Sequence, residues 1–181
     1  MNDRQDIVII QKIKQGEINL YKQLIDKYQG SLFVMVMNII KHRETAEDIA
    51  QDVFLSAYTH LKTFDPALAK FSTWLFQIAR NRCFNEIKKK KEVGMSDIDS
   101  HSFTNNPADD LIKKEIFAQL DNALDKLPFK QKIVFILAEI QGFSLAEVCA
   151  IEEVSVGTIK SRLSRAKEKL RSLLNEYMRQ T

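Results

Sequence analysis

One run of side chains near the C-terminal end is suited to reading nucleic acid. Thr158, Ser161, Arg162 and Arg165 stand at offsets 0, 3, 4 and 7, which gathers them on one helix face. Lys160 and Ser164 flank them, and Ser155 precedes them. Arg and Lys can donate to guanine edges, while hydroxyls bond bases or phosphates. Ile159, Leu163, Ala166, Leu170 and Leu173 repeat on the inward side. Just upstream, Leu145, Val148 and Cys149 mark a shorter helix. Ser144 can cap it with Glu147 three residues on, a capping-box spacing. Ser155 is placed to cap the second helix. A short helix, a turn and a helix with a hydroxyl-and-cation face make a helix-turn-helix reader of the major groove. The plainer alternative is a helical hairpin with a solvated charged face.

A second stretch mixes aromatic and cationic chemistry. KFSTWLFQIARNRC, residues 70–83, holds the only Trp of the chain, two Phe, Lys70, Arg80 and Arg82, and Lys88 to Lys91 follow. Opening a duplex unstacks bases, which exposed aromatics or a pocket can receive. Cations meanwhile hold the backbone. Phe71, Trp74, Leu75 and Ile78 form one apolar stripe, and Phe76, Ala79 and Cys83 another. Arg80, Asn81 and Asn85 remain as a polar edge. A Trp on an apolar stripe usually fills a core, so Trp74 reads as packing, with direct base contact the alternative. A third segment, AEDIAQDVFLSAY (46–58), places Glu47, Asp48, Gln51, Asp52 and Leu55 at helical neighbour spacings. This acidic patch beside apolar residues is either a protein interface or a solvated face.

The elements that position these residues are helices. Only 5 Gly and 3 Pro occur among 181 residues, with 45% hydrophobic and 28% charged side chains, a composition for long helices around a real core. Residues 5 to 91 read as consecutive helices punctuated at Gly16, Gly30 and Phe64–Pro66, with residues 32–40 central. The third helix starts at Glu44 or Thr45, and the fourth runs from about Phe71 to Lys90. Pro128 opens a helix that Gly142 closes. The expected fold class is all-α: two small helical domains, 1–91 and 111–181, joined by a flexible acidic linker over 92–110, the C-terminal domain being helix-turn-helix. No strand alternation or internal repeat is visible.

Charge distribution says more than the net +3. Basic blocks at 66–91 and 154–181 flank an acidic spacer that has no Lys or Arg between Glu92 and Asp110. Two polyanion-contacting modules fit this pattern. The two Cys are far apart and fit a reducing cytoplasm. The three His are scattered, so no metal and no cofactor is expected. The N-terminus lacks a signal-peptide pattern, and residues 32–40 are too short an apolar run to span a bilayer. No membrane insertion and no small-molecule substrate is expected.

VSVGTIKSRLSRAKEKL (154–170), with LPFKQKIVFILAEIQGFSLAEVCAI before it, resembles the C-terminal DNA-reading domain of extracytoplasmic-function (ECF) sigma factors. These are small members of the sigma-70 family of bacterial RNA polymerase initiation factors. AEDIAQDVFLSAY and FSTWLFQIARNRCFNEIKKKK (71–91) resemble that family's N-terminal motifs. The likeness covers about residues 8–91 and 112–176, in family order. It implies a cytoplasmic, non-enzymatic factor with core RNA polymerase, promoter DNA and an anti-sigma factor as partners. By the same resemblance, Glu47, Asp48, Gln51, Asp52, Phe54 and Leu55 dock on the polymerase. Phe64, Asp65, Lys70, Phe71 and Ser72 match a base-capturing loop. Arg80, Asn81 and Asn85 read upstream −10 bases, and Lys88 to Lys91 neutralise phosphates. Ser155, Thr158, Lys160, Ser161, Arg162, Ser164 and Arg165 contact the −35 element.

The sequence departs from the family pattern at the reader's turn. Glu152 and Glu153 stand where Leu and Gly are common, and Glu153 falls where a left-handed backbone is often needed. The adjacent Trp pair of primary sigma factors is absent, which implies narrower promoter tolerance. A free-standing two-domain helix-turn-helix regulator is the alternative function. A helical nucleic-acid enzyme is a third class, without a metal cluster, a phosphate-cradling Gly loop or a nucleophile constellation in its favour.

Overall fold

The computed structural model describes residues 3–92 and 111–180, with side chains placed for 3–92 and 118–175. The predicted linker therefore lies outside the described residues, apart from Glu92. Helices α1 (Asp3–Lys14), α2 (Tyr21–Ile40), α3 (Arg43–Thr59) and α4 (Phe71–Glu92) build one compact unit. Helices α5 (Leu111–Asp125), α6 (Phe129–Phe135), α7 (Leu145–Glu152) and α8 (Val156–Gln180) carry most of the other. Among the described residues there is no strand, and the all-α, two-domain reading holds.

In the first unit α2 is the axis, packed by α1, α3 and α4. Leu24, Tyr28, Leu32, Met35 and Val36 on it are all fully buried. The sequence reading punctuated this segment at Gly30, but the helix runs straight through it. A helical Gly costs about 1 kcal/mol relative to Ala. Each buried Leu or Val contributes roughly 1.5–3 kcal/mol, so the core stripe outweighs the break. Gly16 does end α1, at φ 113, a backbone state that favours Gly. α3 begins at Arg43, ahead of the predicted start, because His42 Nδ1 accepts from the Thr45 backbone N–H. After α3 a 3-10 turn over Leu61–Thr63 leads into extended backbone at Phe64, and α4 starts at Phe71. The Phe64–Pro66 break falls as the sequence reading placed it.

In the second unit Ala123, Leu124 and Leu127 of α5 and its exit turn meet Ala166, Leu170 and Leu173 of α8 in one apolar cluster. The stripe predicted for α8 is thus buried, with Leu163 only half-buried. Pro128 is the N-cap of α6. That helix widens into a π turn over Ile136–Ile140, where the Gln141 N–H donates to the Ile136 carbonyl at 2.9 Å. Gly142, at φ 71, then reverses the chain.

Candidate functional site

The helix-turn-helix is built as its sequence specifies. The Ser144 N–H donates to Glu147 Oε2 at 2.8 Å, and the Glu147 N–H returns a 3.3 Å bond to Ser144 Oγ. These reciprocal bonds satisfy two otherwise orphaned donors at the start of α7. The turn passes through Glu153 at φ 55, the left-handed state expected at that position, held here by a non-Gly residue. Ser155 Oγ accepts from the Thr158 N–H at 3.4 Å and lies 3.0 Å from Thr158 Oγ1. Both hydroxyls therefore serve the cap of α8. Lys160, Ser161, Ser164 and Arg165 are exposed, whereas Arg162 is half-buried. The free donor face is thus the i, i+4 pairs 160/164 and 161/165, rotated slightly from the predicted one.

The chain between α3 and α4 forms the second feature. Phe64, Phe71 and Ser72, which the resemblance matches to the base-capturing loop, are buried, at 4%, 2% and 2% exposure. The reason is an aromatic cluster. Phe64 meets Phe71 edge-on at 5.8 Å, Trp74 lies 5.2 Å from Phe64 and 5.9 Å from Phe71, and Tyr28 sits 5.6 Å from Phe71. Trp74 is half-buried and packs behind the loop. Asp65 and Lys70 are exposed. Asp65 Oδ1 accepts from the Ala67 N–H at 2.9 Å, which shapes the turn. The tip carries Leu68, 84% exposed, a residue the sequence reading passed over because it belongs to no periodic pattern.

Along α4, Asn81, Arg82, Asn85, Lys88 and Lys89 are exposed, and Arg80 is half-buried. Arg80 Nη1 donates to Asn81 Oδ1 at 2.9 Å, and its guanidinium lies over the Phe84 ring, 5.7 Å from its centre. A polar, basic edge therefore leads away from the loop. Cys83 is buried on the opposite side, and burial pushes its thiol up to about 12.

The third feature is an open, mostly apolar groove of about 780 Å³. Gln51, Phe54, Leu55 and Tyr58 of α3 form one wall, and Ile18, Tyr21 and Ile25 the other. Leu55 is 64% exposed and Phe54 is floor, at 7%. The Tyr21 O–H donates to the Phe54 carbonyl at 2.6 Å, and the Tyr21 and Tyr58 rings lie 4.9 Å apart. Burial, and then the nearby Tyr58, push the Tyr21 phenol well above its ordinary range. Asp48 and Asp52 are exposed on the same helix, and Glu47 pairs with Arg43 at 2.8 Å. The sequence reading found one wall of this groove. It missed Ile18, Tyr21 and Ile25, which reach it through tertiary packing from a segment without an interface pattern of its own. Among the described residues no three His, Cys, Asp or Glu are grouped to hold a metal ion, and no helix is long and apolar enough to cross a membrane.

Two family models match the chain: sigma-70 region 2 over residues 24–93 and sigma-70 region 4 over residues 117–170. The ECF RNA polymerase sigma factor SigW of Bacillus subtilis is 31% identical over 179 residues, covering 92% of this chain and 95% of that protein. The ECF RNA polymerase sigma-E factor of Escherichia coli K12 is 26% identical, with 96% of each chain covered. The sigma factor RpoE of Bartonella quintana, solved with the anti-sigma factor NepR, superposes with a TM-score of 0.73 at 29% identity, over 86% of this chain and 96% of that one.

Proposed function

The chain belongs to the ECF sigma factors of the sigma-70 family, and from that premise we propose how its surfaces divide the work. As a sigma factor it acts with core RNA polymerase and promoter DNA at transcription initiation. The region 2 unit, residues 1–91, binds the polymerase and opens the −10 DNA. The region 4 unit, 111–181, reads the −35 element, and 92–110 links them. The groove beside Leu55, with Asp48, Gln51 and Asp52 at its rim, docks the polymerase. Asp65, Leu68 and Lys70 form the DNA-facing side of the α3–α4 loop, and Phe64, Phe71, Ser72 and Trp74 form the wall behind it. Arg80, Asn81, Asn85 and Lys88 track the separated strand, and Lys160, Ser161, Ser164 and Arg165 read the major groove with Arg162 beside them.

The observation that carries this reading is the pairing, in one chain, of a donor-lined recognition helix with an apolar docking groove on a different unit. A free-standing regulator reads DNA with the first alone, whereas a sigma factor needs both. The chain itself is no enzyme, because phosphodiester chemistry belongs to the polymerase, and its place of action is the cytoplasm. An anti-sigma factor, as the Bartonella relative has in NepR, masks these surfaces when transcription is off. The test is promoter binding with and without core polymerase. Specific binding should need the polymerase, and tight specific binding by the chain alone would favour the regulator.

A further inference from the structure

Helix α1 fastens both ends of the α3–α4 loop. At the entry, Lys14 Nζ donates to the Phe64 carbonyl at 2.8 Å. At the exit, Lys70 Nζ pairs with Asp3 Oδ2 at 2.9 Å. The two anchors stand 11 residues apart on α1, about 16 Å along a helix axis. α1 is itself locked to α2, since Asp6, 1% exposed, accepts from Tyr28 O–H and Lys27 Nζ. The Tyr28 ring in turn packs on Phe71, at the start of α4, with ring centres 5.6 Å apart. A partly exposed ion pair such as Asp3–Lys70 contributes little alone. A cationic donor on a main-chain carbonyl is stronger and more directional. It also fixes backbone, so its effect does not depend on which side chains the loop carries.

We propose that α1 is a positioning element for the loop, and that Lys14 is the residue that sets the loop's entry. This rests on the reading of the loop as the site that receives an unstacked base. Packing alone would hold α1 through Ile9, Ile10 and Ile13, which are buried. It would not need a lysine ammonium reaching a residue 50 positions away. By holding the Phe64 backbone, Lys14 keeps Asp65, Leu68 and Lys70 displayed in one arrangement before DNA arrives, which lowers the ordering cost of capture.

The test uses reconstituted holoenzyme and a promoter carrying a fluorescent base analogue in its −10 element, so that strand opening is read directly. Lys14→Met keeps the aliphatic stem and removes the donor. It should slow opening about fivefold to tenfold and flatten the preference for the captured base, with polymerase affinity and melting temperature unchanged. Lys14→Arg should restore most of the rate. Asp65→Ala tests the loop reading separately and should also slow opening. If Asp65→Ala slows opening and Lys14→Met does not, the role of α1 is overturned while the loop reading stands. If neither variant slows it, the loop reading itself fails and the inference goes with it. A Lys14→Met defect that tracks a lowered melting temperature, or that Lys14→Arg fails to rescue, would reduce Lys14 to a structural residue and also overturn the proposal.

Discussion

Replacing Leu55 by Ala isolates what the groove contributes to polymerase docking. In the free chain the Leu55 side chain is 64% exposed at the edge of an apolar groove, so its removal leaves no cavity in the core. Fully burying a Leu side chain is worth roughly 1.5–3 kcal/mol. The 64% still open to solvent leaves roughly 1–2 kcal/mol to be gained on docking, if a partner covers it. At 1.4 kcal/mol per decade, the dissociation constant for core polymerase should rise roughly fivefold to thirtyfold. Anisotropy of a dye-labelled chain titrated with core polymerase measures this. Val8 is a suitable control, being 52% exposed on α1 and not part of the groove lining. Val8→Ala should leave the affinity within twofold. An unchanged affinity for Leu55→Ala, or equal losses for Leu55→Ala and Val8→Ala, would refute the assignment of the groove.

Four other outcomes are expected. Arg165→Ala should cost about 1–3 kcal/mol in recognition of the −35 element and leave polymerase binding intact, as read by footprinting of holoenzyme on intact and scrambled −35 sequences. Asp48→Ala combined with Gln51→Ala should do the reverse, weakening polymerase association in the same anisotropy titration. Gly142→Ala meets no atom within 4 Å but must hold φ 71; the strain of about 1–2 kcal/mol should lower the melting temperature by several degrees in calorimetry. The Cys83 thiol, pushed up to about 12 by burial, stays protonated at pH 8. It should resist a thiol reagent in the folded chain and react once denaturant is added.

The helical organisation was legible because period and punctuation agree. Gly16 and Gly142 close helices by their positive φ, and Ser144, Glu147 and Ser155 make the caps their spacing specifies. Gly30 misled, because a propensity cost near 1 kcal/mol is small beside the buried stripe around it. The reader helix was legible in type, but not in which hydroxyls were free. Thr158, expected on the reading face, has its hydroxyl 3.0 Å from the capping Ser155 Oγ, and that competition is settled by geometry. The loop was assigned through the family resemblance, and the residue pattern alone does not say which of its aromatics face outward. A Phe reads alike whether it receives a base or walls off a core, and only the packing of Phe64 and Phe71 on Tyr28 and Trp74 separates the two. The far wall of the groove and the hold of α1 on the loop join residues 33 and 50 positions apart, beyond what periodicity can register.

As a sigma factor, this chain should confer promoter specificity and DNA opening only when it joins core polymerase. Transcribing genomic DNA with core polymerase, with and without the purified chain, and sequencing every transcript start tests it most directly. A limited set of new starts should appear that depend on the chain and share one −35 and one −10 element. Those starts should be lost with Arg165→Ala and with Leu55→Ala. Starts that do not change when the chain is added, together with specific promoter binding by the chain in the absence of polymerase, would contradict it.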